Sequence, residues 1–223
     1  MSVLTIPLRP SPFRSEFESA RARAVVAAPS RKPVASFGQL WYRHSWFHIM
    51  TLNSSRFPNN GVIPREFTCE HVPEGHPHRS PPLEWSGVPD NAKSLVLIVE
   101  DIDAKDRSTG QRMSEPWVHW VLYNIPPWAR ELPAAVTDLP RGTLEGVDDN
   151  DEPGYHGPCP PKGDTRHRYF FRLYALNVKL SEPGGLTKAQ IWKHVSKFIA
   201  QAELVGTYQR GKPIEDQFQE LIG

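Results

Sequence analysis

Two runs, SLVLIV (94–99) and WVLYNI (120–125), are nearly unbroken in apolar and aromatic residues. A strand with one wet face alternates apolar and polar side chains, so runs that lack the alternation have to be covered on both faces. The chain must therefore bury a sheet between two layers. Loops rich in Pro, Gly, Asn and Asp separate the runs, among them FPNNG (57–61), EGHPHRSPP (74–82) and YHGPCPPKGD (155–164). Their punctuation is that of a β protein. Twenty-three prolines in 223 residues weigh against long helices. The aromatic and β-branched run 168–178 suits a central strand. One helix is expected: Thr187 is a good N-cap for residues 188–206, with Ile191, Val195, Phe198 and Ala202 at helical spacing and Gly206 as the stop. The tail 211–223 is polar and only weakly helical in pattern.

The length suits one good-sized core, here residues 50–210, with no internal repeat. No apolar run approaches the roughly 18 residues of a membrane helix, so a soluble protein is expected. The net charge of +1 hides a split, because residues 1–49 hold seven of the 26 Lys and Arg but only two of the 25 acids. The remainder is mildly acidic and has no basic stripe, which argues against a nucleic-acid partner. The first 49 residues, rich in Ser, Arg and Ala, lack the continuous apolar stretch of a secretory signal and read as disordered. Met50 is a suitable natural start, so this segment is either an organelle presequence or the product of an upstream start. Cys69 and Cys159 are too few for a disulfide framework; one bridge and two thiols both stay open, with a reducing, cytoplasmic setting the simpler reading.

The run LVLIVEDIDA (95–104) carries apolar residues straight into acids. If it is a strand, Asp101 and Asp103 share a face about 6–7 Å apart, with Glu100 and Ile102 on the other. Such a pair needs a compensating cation, histidine or hydrogen-bond donor. Alternation places His119 with Trp117 and Val121 and opposite Trp120, and places His167 with Tyr169 and Phe171. Carboxylates, imidazoles and a tyrosine hydroxyl where loops meet buried strands suit a small-ligand pocket. The loop 155–164 is either a cap over an anion or a stiff connection. A divalent metal on Asp101, Asp103, His119 and His167 is a weak reading, since HExxH and Cys/His spacing are absent. An Asp-x-Asp magnesium site lacks an accompanying P-loop or GxGxxG. Nucleophilic hydrolysis lacks GxSxG, and Cys159 has no helix N-terminus to activate it. An anion held by protonated histidines, with the aspartates keeping the imidazoles charged, remains.

Six segments together resemble the phosphatidylethanolamine-binding proteins, also called Raf kinase inhibitor-like proteins: SPPLEWSGVP (80–89), SLVLIVEDIDA (94–104), WVHWVLYNIP (117–126), GYHGPCPPKG (154–163), HRYFFRLYALN (167–177) and AELVGTYQR (202–210). They stand in the family's order and look like its bacterial-type branch. The resemblance implies a mainly β, antiparallel Greek-key β-sandwich with a C-terminal α-helix and few short helices. It implies a small anion pocket built from Asp101, Asp103, His119, Gly157, Pro158, His167 and Tyr169. Two departures stand out: the family's DPDAP is Asp101-Ile102-Asp103-Ala104-Lys105 here, without prolines, and a tyrosine common in relatives is Ser114. Glu115–Pro116 falls where relatives hold a cis peptide, so a cis bond is expected there.

The function expected from the resemblance is binding and regulation. A phosphate, carboxylate or phosphoethanolamine-like head group would sit in the pocket, and a kinase or protease partner would be modulated by a monomer or homodimer, with no cofactor. Charge-assisted hydrogen bonds from His119 and His167, about 1.5–3 kcal/mol each, would hold the anion, helped by Tyr169 and the amides of Gly157 to Cys159. The alternative is a hydrolytic or metal-assisted enzyme using the two aspartates and two histidines.

Overall fold

The computed structural model describes residues 49–222 apart from 73–75 and 196–197. Residues 1–48 lie outside that range, and with them nearly all of the segment read as a presequence or upstream extension. The described residues fall within one unit, Ser45–Gly223.

In chain order the elements are β1 (Thr51–Asn53), β2 (Gly61–Val62), a 3-10 turn (Arg65–Phe67), β3 (Leu83–Ser86), β4 (Ser94–Asp101), β5 (Trp117–Ile125), β6 (Glu131–Leu132), β7 (Leu144–Glu145), β8 (His167–Leu176), α1 (Lys188–His194), β9 (Ala200–Tyr208) and α2 (Ile214–Ile222). A small sheet runs β1-β3-β6 and a large one β2-β9-β8-β4-β5-β7. Within the large sheet β4, β5 and β7 are neighbours, and the chain then returns to lay β8 beside β4, which is a Greek key. All pairs are antiparallel except β2 with β9, a parallel edge pair that the expectation of antiparallel sheets did not include.

The unbroken apolar runs are explained by three layers. Leu95, Leu97 and Val99 of β4 face the small sheet, joining Leu52, Leu83 and Trp85 in one core. Val96 and Ile98 face the opposite way, into a second core closed by Leu180 and by Ile191 and Val195 in and beside α1. Glu100 also points to this second side, where it meets Arg172 at 2.7 Å and Lys188 of α1. That buried carboxylate is thus neutralised from two elements at once. β8 is central, as its composition suggests, with β4 and β9 paired along its length.

Two expectations fail here. The helix begins as read, with Thr187 and Gln190 forming a reciprocal capping box, but it ends at His194 rather than running to Gly206. Residues 200–208 form β9 instead, because pairing with β8 satisfies a full row of backbone groups that β8 would otherwise leave bare. Gly206 is therefore not a helix stop: a Cβ there would lie 2.5 Å from Ile63 Cγ1, since β2 crosses close beside it. Glu115–Pro116 is trans, as no cis peptide occurs among the described residues. Trans is the lower-energy isomer of an X-Pro bond by about 0.5–1 kcal/mol, and a cis bond needs surroundings that override it.

The tail is part of the domain. The buried side chain of Gln217 on α2 accepts from Gln209 N and donates to the Gln209 and Lys212 carbonyls. Cys69 and Cys159 are bonded, which decides against two thiols and removes the ground for a reducing setting. The bridge closes a separation of 90 residues, so reduction by a dithiol or Cys159→Ser is expected to lower the unfolding free energy by about 4–5 kcal/mol. Urea unfolding with and without reductant measures this, and coincident midpoints would show that the bridge adds nothing.

Candidate functional site

The end of the large sheet gathers the predicted site residues from three strands. β4 and β8 pair with Asp101 opposite Tyr169, and β5 brings His119 in from the other side. Asp101, His119, His167 and Tyr169 are buried, at 4%, 7%, 1% and 1% exposed. Asp101 Oδ2 accepts from His167 Nδ1 at 2.7 Å, and its Oδ1 accepts from Asp103 N at 2.8 Å. Burial pulls the His167 imidazole toward neutrality, but its hydrogen bond with Asp101 and that carboxylate's charge outweigh the loss and raise its pKa.

His119 behaves differently. Its Nδ1 donates to the His156 carbonyl at 2.9 Å, while His156 N donates back to the His119 carbonyl at 2.9 Å. Burial lowers its pKa despite the nearby Asp101 charge, which favours the neutral ring with Nε2 as an acceptor. The two histidines, expected to be alike, thus shift in opposite directions, because a carboxylate bonds to the His167 ring and a peptide carbonyl to that of His119. Alternation also misplaced it. The β4–β5 register shifts between Val99 and Glu100, skipping His119, and this bulge lets His119 and Trp120 share one face. His119 meets Tyr169 edge-on and Trp120 meets Tyr155 edge-on.

Asp103 does not join Asp101. The strand ends at Asp101, the chain turns, and Asp103 accepts from Arg168 N, Nε and Nη2 at 3.0, 2.8 and 2.9 Å, with Arg112 at 3.3 Å. Arg168 and His167 are consecutive in β8 and point to opposite faces, so the two aspartates serve opposite sides of the sheet. Burial tends to raise the Asp103 pKa, but the Arg168 hydrogen bonds lower it overall. The loop without prolines is stiffened in another way. Asp106 accepts from Ser108 and Thr109, which takes its pKa to about 2, and Arg112 Nε donates to Ile102 O at 2.7 Å.

The Gly-Pro loop is pinned on its far side. Gly157 N donates to His78 Nδ1 at 2.7 Å, Cys69 N donates to Pro158 O at 3.2 Å, and the Tyr155 hydroxyl donates to Phe67 O at 3.1 Å. Only glycine fits at 157, where a Cβ would come 2.6 Å from Phe67 O. Its amide is therefore spent on His78 and is not an anion donor, contrary to expectation. Burial and the neighbouring His156 hold the His78 pKa down, which keeps Nδ1 an acceptor. A cleft of about 870 Å³ is lined in part by His78, Trp120, Tyr155 and His156, but not by Asp101, His119, His167 or Tyr169. Among the described residues no His, Cys, Asp and Glu cluster has metal-binding geometry. No described helix is long and apolar enough to cross a membrane.

Sequence reading missed one member. Asp164 Oδ2 lies 3.4 Å from His167 Nε2, and Asp164 Oδ1 accepts from Lys105 Nζ at 2.8 Å. His167 thus has a carboxylate on each ring nitrogen. The only sequence signal for Asp164 was its place three residues before His167, in a loop whose course periodicity cannot give.

The fold is a β-sandwich that draws a buried aspartate, two histidines and a tyrosine to one sheet end. Residues 53–209 match the family described as phosphatidylethanolamine-binding protein, and the chain belongs to that family. It is similar to a UPF0098 protein of Methanothermobacter thermautotrophicus, 42% identical over 73% of this chain and 100% of the relative. A UPF0098 protein of Chlamydia trachomatis is 40% identical over 72% of this chain and 99% of its own length. Among solved structures it is similar to the phosphatidylethanolamine-binding protein homolog CT736 of Chlamydia trachomatis, with a TM-score of 0.63 and 40% identity over 73% of this chain and 99% of the other. Escherichia coli YbcL gives a TM-score of 0.62 at 30% identity, over 72% and 98% of the two chains.

Asp101→Asn removes one partner of a buried pair, an expected cost of about 3–5 kcal/mol. The stabilisation is fully present below the ordinary histidine value of 6.5 and is lost as pH rises through the raised folded value. The wild-type advantage over Asp101→Asn in urea unfolding is therefore expected to shrink at alkaline pH; an advantage constant with pH contradicts the pairing. Gly157→Ala is expected to cost about 1–3 kcal/mol, read by thermal unfolding.

Proposed function

We propose that this protein binds a small anion, a phosphate, carboxylate or phosphoethanolamine-like head group, at the sheet end formed by Asp101, His119, His167 and Tyr169. One observation carries the reading. Two buried polar atoms on neighbouring same-face residues of β8, His167 Nε2 and the Tyr169 hydroxyl, have no hydrogen-bond partner among the described residues, the Asp164 carboxylate at 3.4 Å from Nε2 being an ion-pair contact only. Such atoms are costly unless something accepts from them. Burial first, and the Asp101 charge second, push the Tyr169 pKa well up, so its hydroxyl keeps its proton as a donor. A raised-pKa imidazolium and a fully protonated phenol make a donor pair for an anionic oxygen.

Binding rather than turnover is favoured by what the other candidates do. Cys159 is held in the bridge and offers no thiolate. Asp103 is committed to Arg168 and Arg112, so the four residues of the enzymatic alternative do not converge. The output is regulatory in this reading, with a kinase or protease partner responding to the occupied domain. The bridge supports an oxidising compartment over a cytoplasmic one.

Sulfate keeps its charge across the neutral range and so isolates the protein's titration. Its affinity is expected to persist past the ordinary histidine value of 6.5 and to fall as pH rises through the raised His167 value. Calorimetric titration from about pH 6 to about pH 9 checks this. Flat affinity, or no binding at about pH 6, defeats the reading.

A further inference from the structure

We infer that Asp164 is a built-in occupant of the anion seat on His167, so that a ligand anion enters by displacing this carboxylate, and that Asp164 thereby sets how strongly the site binds anions. The inference rests on the anion-binding reading above and names the residue that regulates it.

The geometry is that of a carboxylate standing where a ligand oxygen would stand. His167 Nδ1 is committed to Asp101, a hydrogen bond within the fold between strands β8 and β4. The remaining ring nitrogen, Nε2, faces Asp164 Oδ2 at 3.4 Å. This is an ion-pair distance without hydrogen-bond alignment, and both atoms are buried with no hydrogen-bond partner. The two contacts therefore differ in kind: a short, aligned bond holds the ring in place, and a looser one covers its outer nitrogen. Separating a buried donor and a buried acceptor that approach but do not bond loses a charge contact but no aligned hydrogen bond, so it costs less than separating His167 from Asp101.

Asp164 is also the part of the arrangement that can move. Its side chain is 20% exposed, against 2% for His167 and 6% for Asp101. It lies outside the strands, in the segment between the Cys159 bridge and β8, whereas Asp101 and His167 are ladder residues. Its second oxygen is held from the solvent side by Lys105 Nζ at 2.8 Å, on a side chain that is itself 34% exposed. Lys105 can thus keep hold of the displaced carboxylate, and a partly exposed pair of this kind adapts more readily than a buried one. The nearest other guanidinium on β8, Arg168, is bound to Asp103 and does not compete for Asp164.

The consequence is specificity by charge. An anion seated on His167 Nε2 meets Asp164 as a like charge, so the site penalises anions unless the carboxylate swings away from the ring while keeping its bond to Lys105. Removing that charge leaves the same seat with the same Asp101-held imidazolium and no competitor.

The test is calorimetric titration of inorganic phosphate into the full chain at about pH 6, where His167 is protonated, for wild type and Asp164→Asn. The variant is expected to bind about three- to tenfold tighter, the scale of one partly exposed charge contact. In parallel, the His167 ring resonances followed by NMR against pH are expected to titrate at a lower pH in Asp164→Asn, which confirms that the two groups touch in solution. Wild type that binds phosphate with a variant that binds equally or more weakly overturns the inference and leaves the anion-binding reading standing. Absence of phosphate binding in both proteins overturns both. An unchanged His167 titration overturns the contact itself, whatever the affinities.

Discussion

The register between β4 and β8 is the constraint on which this site depends. Pairing Asp101 with Tyr169 brings the Asp101 carboxylate against His167 at the end of the same ladder. Side chains alternate with a period of two, so a slip by one residue would turn His167, Tyr169 and Phe171 away from the core and bring Arg168 and Phe170 into it. The hydrophobic pattern of β8 forbids that slip, because His167, Tyr169, Phe171 and Leu173 are buried while Arg168 is exposed. Packing and site chemistry therefore enforce one register together.

Charge is handled in pairs around the same strands. Glu100 is neutralised by Arg172 and Lys188 on the α1 side, Asp101 by His167 at the sheet end, and Asp103 by Arg168 and Arg112 at the surface. Three acids within four residues thus point to three surroundings. Only Asp101 is matched by a histidine, the one side chain among these partners whose ordinary value lies near neutrality.

The loop 155–159 links the site to the rest of the chain. Its backbone clasps His119, while the Cys69 bridge, His78 and Phe67 hold its other side. Burial favours the neutral form of His119 and a carbonyl aims its ring, whereas Asp101 raises the pKa of His167. The two histidines, equivalent by residue type, have opposite charge preferences because one touches a carboxylate and the other a peptide group.

Residues that act through local pattern were legible from the chain alone. The doubly buried strands β4 and β5, the central β8, the Thr187 cap, and the placing of Asp101, His119, His167 and Tyr169 where loops meet strands follow from periodicity and residue type, with the family resemblance supplying their grouping. What failed was everything set by partners distant in sequence. The helix stopped at His194 because β8 needed β9 as a neighbour, the bulge turned His119 to the face of Trp120, and Glu115–Pro116 took the trans form. Asp103 left the site for Arg168, and Asp164 entered it from a loop. The sequence alone thus determined which segments are buried and, of the polar groups at the sheet end, Asp101, His119, His167 and Tyr169 but not Asp164. The tertiary structure decided their charge states and pairings, because desolvation and through-space neighbours, which set a pKa, exist only once strands far apart in the chain lie side by side.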